Sequence, residues 1–348
     1  MLGDLLELVM IKMKRIAING LGRIGRLVLH HYIAYNSKDI EIIAANDLTP
    51  IDELAYLLKY DSVHGRAPYP IDYGSDYIKY RSKKITITNE KDPMNLPWKK
   101  LGIDIVLECT GLFRKREDAE QHLKAGASKV IISAPSDTAD ITINLGVNEK
   151  SYDPKKHHIL SNASCTTNSL SPAIKVLDDT FGVEHLLVTT VHAYTASQAL
   201  VDRSSKVKRR GRAAAVSIVP TTTGAAKATT LVLPNLKGKM DAIALRAPIP
   251  DGAISDIVAE LKTTVTVKDV NDAYKKVANN ELKGILDYCE DDLVSADIIG
   301  DLHSGIVDGT LTRVIDDKMV KVFVWYDNEA GYAKRLLELA EYVAKKIK

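Results

Sequence analysis

Cys165 stands in the stretch Asn162-Ala163-Ser164-Cys165-Thr166-Thr167-Asn168, just ahead of a long helix-forming run. At a helix start the unpaired amides and the positive end of the dipole favour an anion. The position therefore predicts a thiol that ionises more readily than a free cysteine and acts as a nucleophile. Beyond that helix, residues 184–193 read as a strand whose far end carries His192, which can fold back beside the sulfur as its base. Cys109, at a strand end, reads as packing, and the acidic surroundings of Cys289 are expected to raise its pKa and quiet it.

The other chemistry-bearing motif is Gly20-Leu21-Gly22-Arg23-Ile24-Gly25, entered from an apolar strand and left into a helix. The first glycine allows a tight turn, the second lets the backbone approach a pyrophosphate, and the third lets helix and strand pack closely. Phosphate is expected on the amides of Arg23 and Ile24. A second strand ends in Asn46-Asp47, which sets a carboxylate about twenty residues past the glycines, where it can accept from an adenosine ribose 2'-hydroxyl. The fingerprint alone is weak evidence, but with Asp47 it is specific for a dinucleotide.

Further motifs follow in order: Lys59-Tyr60-Asp61-Ser62-Val63-His64-Gly65, Glu108-Cys109-Thr110-Gly111, Pro220-Thr221-Thr222-Thr223-Gly224-Ala225-Ala226-Lys227 and Trp325-Tyr326-Asp327-Asn328-Glu329. With them the chain resembles the phosphorylating glyceraldehyde-3-phosphate dehydrogenases from about Lys14 to its C-terminus. The resemblance implies oxidation of glyceraldehyde 3-phosphate to 1,3-bisphosphoglycerate through a hemithioacetal and a thioester on Cys165, with His192 as base. It implies that Thr195 and Arg246 hold the substrate phosphate. Ser164, Thr166, Thr223, Gly224 and Arg210 then shape the site for inorganic phosphate. Thr223 also reads as a helix cap, whereas Arg246, an arginine in an apolar strand, needs an anionic partner. Asn328 is expected at the nicotinamide carboxamide, Tyr332 near the ring, and Thr110, Gly111 and Ser133 along the dinucleotide. Lys91 stands near the adenine, where the family often has arginine.

Asp47 and the Leu48 after it favour NAD. The segment Asp202-Arg203-Ser204 differs from the Asp-Leu-Pro of strictly NAD-using bacterial relatives, and Arg203 and Ser204 add a cation and a donor near the adenosine 2' position. Use of NAD with tolerance of NADP is the expectation. By resemblance residues 196–212 form an inter-subunit loop of a homotetramer. Its five basic residues between Lys206 and Arg212 are read as an anion or cofactor feature rather than a nucleic-acid patch. Two rival readings are an erythrose-4-phosphate dehydrogenase, which no residue here decides against, and a non-catalytic RNA-binding protein, against which the retained Cys165 and His192 speak.

A formal charge of +2 over 348 residues gives no global case for nucleic acid or membrane. Three cysteines make no even framework and no Cys/His cluster has metal-ligand spacing, so a reducing cytoplasm and no metal are expected. Residues 1–13 read as an extension: a short extra helix, or the product of an upstream start. The apolar run there lacks a basic start and a cleavage site, arguing against a signal peptide, and is too short to span a bilayer. Strands expected at 15–19, 40–45, 103–108, 129–133 and 158–161, with helices at 52–59 and 117–125, make residues 14–163 a doubly wound parallel Rossmann sheet. An antiparallel insertion is expected around Arg81-Ser82-Lys83. Residues 164–327 read as an α+β catalytic domain with a mostly antiparallel sheet, built from segments 186–191, 240–248, 255–267 and 321–326. Residues 328–348 form an amphipathic helix that, by resemblance, returns to the first domain.

Overall fold

A computed structural model describes residues 13–347, and the readings made for residues 1–12 lie outside the described residues. In chain order the first part holds β1 (Lys14–Asn19), α1 (Arg23–Tyr35), β2 (Ile40–Asn46), α2 (Ile51–Lys59) and the small pair β3 (Tyr60–Asp61) and β4 (Gly65–Arg66). β5 (Ile71–Tyr73), β6 (Tyr77–Tyr80), β7 (Lys83–Thr88), α3 (Trp98–Leu101), β8 (Ile105–Glu108), α4 (Arg116–Lys124), β9 (Lys129–Ile132), β10 (Ile141–Thr142) and β11 (Ile159–Ser161) follow. Their sheet runs β10-β11-β9-β8-β1-β2-β7-β6-β5, parallel from β10 to β7. β8 and β9 are buried along their whole length, as strands covered by helices on both faces must be. The strand order turns around β1, and the carboxyl ends of β1, β2 and β8 open there into a crevice.

The second part begins with α5 (Cys165–Phe181), β12 (Val183–Ala193), β13 (Val219–Thr222), α6 (Ala225–Val232), β14 (Met240–Ala247) and β15 (Ala253–Leu261). It ends with α7 (Val267–Asn279), β16 (Leu286–Cys289), β17 (Gly305–Ile315), β18 (Met319–Tyr326) and α8 (Ala330–Lys346). The sheet order is β13-β14-β12-β15-β18-β17-β16, antiparallel except for the β12/β14 and β16/β17 pairs.

Period-two alternation along β12 turns Leu186, Val188, Thr190 and His192 to the buried side. There α5 packs Leu170, Ala173, Ile174 and Leu177 into one core with Leu186, Val188, Val322 and Val324. His192 is the last inward member of this row, so it lies at the end of the strand nearest the head of α5. The same alternation brings Tyr326, the last residue of β18, to the inner face. α8 returns to the first sheet and buries Ala333, Leu336, Leu337, Leu339, Ala340, Val343 and Ala344 in its core with α1 residues such as Val28 and Tyr32.

Several expectations need correction. The segment read as strand through residue 267 ends at Leu261, because Thr266 and Asp269 form a capping box that starts α7. The strand expected from residue 103 begins at Ile105, since Asp104 is taken up in accepting the Arg15 amide at 2.8 Å. The β6/β7 hairpin is present, yet β7 also pairs in parallel with β2, so it widens the main sheet.

Candidate active site

Each of the three fingerprint glycines meets a different surrounding. Gly20 has φ +95°, and a Cβ there would lie 2.8 Å from the Thr110 amide. A Cβ on Gly25 would lie 2.1 Å from the Gly20 carbonyl. Gly22 faces open space, with nothing within 4 Å of such a Cβ. The backbone is thus bare on the side where a pyrophosphate would approach. Gly22 also caps α1 without a side-chain bond, which leaves the Arg23 and Ile24 amides at an uncapped helix start. The Arg23 guanidinium is turned away and bound by Glu329 and Asp61.

The crevice beside the glycines encloses about 730 Å³ and is lined by Gly20, Gly22, Asp47, Lys91, Thr110, Leu112 and Phe113 among others. Asp47 is fixed by two backbone donors, the Leu21 amide at 2.7 Å and the Thr49 amide at 2.9 Å. Beneath it the Glu108 carboxylate accepts from Asn19 at 2.6 Å, from the Thr110 amide at 2.8 Å and from His122 Nε2 at 3.0 Å. Trp98 Nε1 donates to His122 Nδ1 at 3.1 Å. An indole only donates, so Nδ1 carries the lone pair and Nε2 the proton given to Glu108. Ser133 closes the row, its amide on the Glu108 carbonyl at 2.9 Å, and Gly111 lies exposed at φ +72°.

At the head of α5, Ser164 Oγ accepts the Thr167 amide at 3.0 Å. Ala163 before it has φ +54°, and its carbonyl accepts the Tyr332 hydroxyl at 3.0 Å. Cys165 Sγ lies 3.4 Å from His192 Nε2. On the far side of the ring, Nδ1 is 2.8 Å from the Ala193 carbonyl and 2.6 Å from Arg246 Nη1. The Tyr326 ring stands edge-on to the imidazole, and its hydroxyl bridges Thr166 Oγ1 at 2.9 Å and Thr190 Oγ1 at 2.8 Å.

Burial and charge act on the expected thiolate in opposite directions. Burial pushes Cys165 up, against the lowering influence of Arg246 and of the Thr166 side chain and amide. Burial, and then the Arg246 charge, push His192 down to about 3. The helix-start amides do not outweigh the loss of water around a lone charge. Cys109 is pushed up to about 12 by burial. Cys289 is also raised, by burial first and by Asp291 and Asp287 only afterwards, which corrects the expected cause.

Among the residues expected at phosphates, Arg210 donates to Thr221 Oγ1 at 3.0 Å and to the Thr222 carbonyl at 3.2 Å. Thr223 Oγ1 accepts the Ala225 amide at 3.1 Å, and Gly224 caps α6. Thr195 Oγ1 is 2.8 Å from Ser197 Oγ. Arg246 Nε is buried with no partner among the described residues, as is Asn328 Oδ1. Thr166 is turned inward to Tyr326. Arg203 and Ser204 are exposed and do not line the crevice of their own chain.

Residues 14–116 match the family described as "Glyceraldehyde 3-phosphate dehydrogenase, NAD binding domain", and residues 164–328 match "Glyceraldehyde 3-phosphate dehydrogenase, C-terminal domain". The chain is 54% identical over 332 residues to the glyceraldehyde-3-phosphate dehydrogenase of Geobacillus stearothermophilus, covering 95% of this chain and 98% of the relative. It is 51% identical to that of Priestia megaterium and 50% identical to glyceraldehyde-3-phosphate dehydrogenase 1 of Bacillus subtilis, with the same coverage in both. The chain belongs to the glyceraldehyde-3-phosphate dehydrogenase family. As a member it is an oxidoreductase with an NAD-binding domain.

Two parts of this dehydrogenase's site were missed in the sequence. Tyr326 lies inside a quoted motif, and strand alternation was the signal that could have singled it out. His64, Asp251 and Glu329 place ligand atoms within 4.8 Å of one another, although His64 and Glu329 stand 265 residues apart in sequence. His64 Nε2 is 3.2 Å from Glu329 and 3.5 Å from Asp251, whose two oxygens take no hydrogen bond. Burial, then Asp327 and Glu329, push Asp251 up to about 8. Among the described residues no helix is long and apolar enough to cross a membrane.

Proposed function

We propose that the chain catalyses the phosphorylating oxidation of glyceraldehyde 3-phosphate with NAD. The observation that carries this reading is the 3.4 Å contact between Cys165 and His192 at the head of α5. It lies beside a guanidinium, that of Arg246, with a free Nε. The residues present fit the dinucleotide: bare backbone at Gly22, a fixed carboxylate at Asp47 and an unpartnered amide oxygen on Asn328. Bound NAD supplies the hydride acceptor.

The chain's own residues handle the proton and the carbon. Cys165 adds to the aldehyde carbon as His192 Nε2 takes the thiol proton and returns it to the new oxyanion, giving a hemithioacetal. His192 then removes the hydroxyl proton as hydride leaves, which forms a thioester on Cys165. Inorganic phosphate attacks the thioester, and His192 hands its proton back to the departing sulfur. The Cys165 amide and protonated His192 hold the oxyanions. Thr195 and Arg246 grip the substrate phosphate; Ser164, Thr166, Thr223, Gly224 and Arg210 surround the attacking one. Thr166 and Arg210 must exchange their present hydroxyl and carbonyl partners to do so.

Purified protein mixed with glyceraldehyde 3-phosphate, NAD and phosphate should produce NADH steadily. Without phosphate it should stop after about one NADH per chain, because the thioester has no acceptor. No NADH in either case would overturn the reading.

Cofactor choice follows from Asp47, which accepts a ribose 2'-hydroxyl and repels a 2'-phosphate, against Arg203 and Ser204 on a neighbouring copy. The proposal is use of NAD with NADP tolerated. Arg203→Leu with Ser204→Pro should weaken NADP far more than NAD, and absence of wild-type turnover with millimolar NADP would leave Asp47 alone in control. A homotetramer is supported by Leu200, Val201, Val216 and Ile218, each at least 70% exposed in a single copy. A monomer mass by light scattering would exclude it.

A further inference from the structure

Outside the Cys165/His192 pair, three ligand-bearing side chains meet, each from a different part of the fold. His64 lies between β3 and β4, Asp251 between β14 and β15, and Glu329 caps the head of α8. His64 Nε2 is 3.2 Å from Glu329 Oε2 and 3.5 Å from Asp251 Oδ2, and a carboxylate oxygen of each acid lies within 4.8 Å of the other. Asp251 is 1% exposed, and neither of its oxygens takes a hydrogen bond among the described residues. A carboxylate buried in this way has given up water without a hydrogen bond in exchange.

A tetrahedral ion with bonds of about 2.0–2.2 Å to nitrogen and oxygen holds its ligand atoms about 3.3–3.6 Å apart. The two edges at His64 are close to that length, and a cation between the two acids would draw the third edge in. One imidazole with two carboxylates is a donor set for zinc and its neighbours, whereas magnesium and calcium take oxygen alone. Arg23 does not exhaust Glu329: its Nε donates to Oε1 at 2.9 Å and its Nη2 to Oε2, and each carboxylate oxygen has two lone pairs. Asp61, Asp251, Asp327 and Glu329 gather around Arg23 and Arg26, so four fixed negative charges face two positive ones, an excess that one divalent cation balances. A cavity of about 370 Å³, lined by His64, Asp61, His30, His31 and Arg66 among others, borders the cluster and gives an ion its way in.

We propose that His64, Asp251 and Glu329 form a structural site for one divalent transition cation of the zinc type, with water from the cavity in the fourth position. The ion ties the loop ahead of β4 and the head of α8 to the loop ahead of β15, and so joins the first sheet to the second. Through Glu329 it also steadies Arg23, which opens α1 beside the glycine turn. Composition and spacing gave no sign of such a site, because no two of its ligands share a local motif.

The test titrates cobalt(II), the spectroscopic stand-in for zinc, into the full chain at about pH 8, where few protons compete for the ligands. Iodoacetamide first blocks the thiols, which removes Cys165 as a rival ligand. Equilibrium dialysis should find about one cobalt per chain, with visible absorption that lacks a thiolate charge-transfer band and is erased by zinc. The unfolding midpoint should climb with cobalt concentration. Groups that only support a metal ligand are worth about 10–100-fold in affinity, so loss of a ligand in Asp251→Asn or His64→Gln should weaken binding by more than about 100-fold. A wild type that binds no cobalt overturns the site without any variant having to fold, and leaves a protonated imidazole shared between two carboxylates. Equal binding by Asp251→Asn would place the ion elsewhere and overturn it as well. NADH formation is no part of these readouts, so a failed site and a failed reaction are told apart.

Discussion

The floor of the dinucleotide crevice and the neighbourhood of Cys165 are both buried and polar, but they treat their polar atoms in opposite ways. On the floor every step is matched: Trp98 gives to His122, His122 and Asn19 give to Glu108, and Asn46 gives to Asn19 at 2.8 Å. Around Cys165, Arg246 Nε, Asn328 Oδ1 and both Asp251 oxygens have no hydrogen-bond partner among the described residues. A satisfied buried network is rigid, and an unsatisfied buried group costs on the order of 1–3 kcal/mol until something binds it. The crevice is thus shaped before its ligand arrives. The neighbourhood of Cys165 keeps buried bonding groups unpaired among the described residues.

That contrast can be broken at either end. The largest effect is expected for Cys165→Ser, which should lower oxidation by roughly four or more orders of magnitude while dinucleotide binding by fluorescence titration stays near wild type. Turnover persisting in the serine variant would remove the nucleophile from this site. His192→Asn should cost about two to four orders in turnover, again with the dinucleotide bound. A variant that turns over like wild type would mean that the 3.4 Å contact is only packing.

On the floor the same logic predicts a loss of stability rather than of chemistry. Glu108→Ala strips an acceptor from Asn19, His122 and Thr110, and each buried donor left without a partner costs about 1–3 kcal/mol. Thermal unfolding should therefore fall by many degrees and dinucleotide affinity with it. The alkylation profile of Cys165 should keep its pH midpoint, and a shifted midpoint would show that the two regions are not separate.

The smallest effect concerns Asp251. Its carboxyl is raised in the fold, to about 8, so the stability tied to its proton is present at low pH and drains away as pH rises through that value. His64, also raised, adds a loss in the same direction; Glu329, lowered and paired with Arg23, has the opposite sign at low pH. Asp251→Asn should flatten the decline, gaining thermal midpoint over wild type progressively between about pH 4 and about pH 8. A parallel pair of curves would refute the assignment.

Much of the crevice was readable from sequence because its parts are local or evenly spaced: a glycine turn between strand and helix, and a carboxylate at the end of the next strand. The nucleophile was readable for the same reason, since a helix start can be seen in a dozen residues. Its ionisation was not, because burial of Cys165 is made by strands and helices far away in the chain. Arg246 on the imidazole depends on the register of β12 against β14, and Asp251 meets His64 only after both sheets have formed. The run Thr263-Thr264-Val265 shows the limit of propensity, where β-branched residues suggest a strand but the cap at Thr266 begins a helix.

α8 is made after every strand of both sheets, yet it fills the core of the sheet that is made first. During synthesis the β1–β11 sheet leaves the ribosome lacking the side chains from Ala333 to Ala344 that cover it. The second sheet, by contrast, already has every strand it needs by Tyr326. The usual order of assembly, in which the N-terminal part settles first, is therefore reversed or delayed here. Until α8 emerges, the glycine loop rests on an open apolar face. A truncation that removes only α8 should then harm dinucleotide binding first, although among the expected dinucleotide contacts it removes Tyr332 alone.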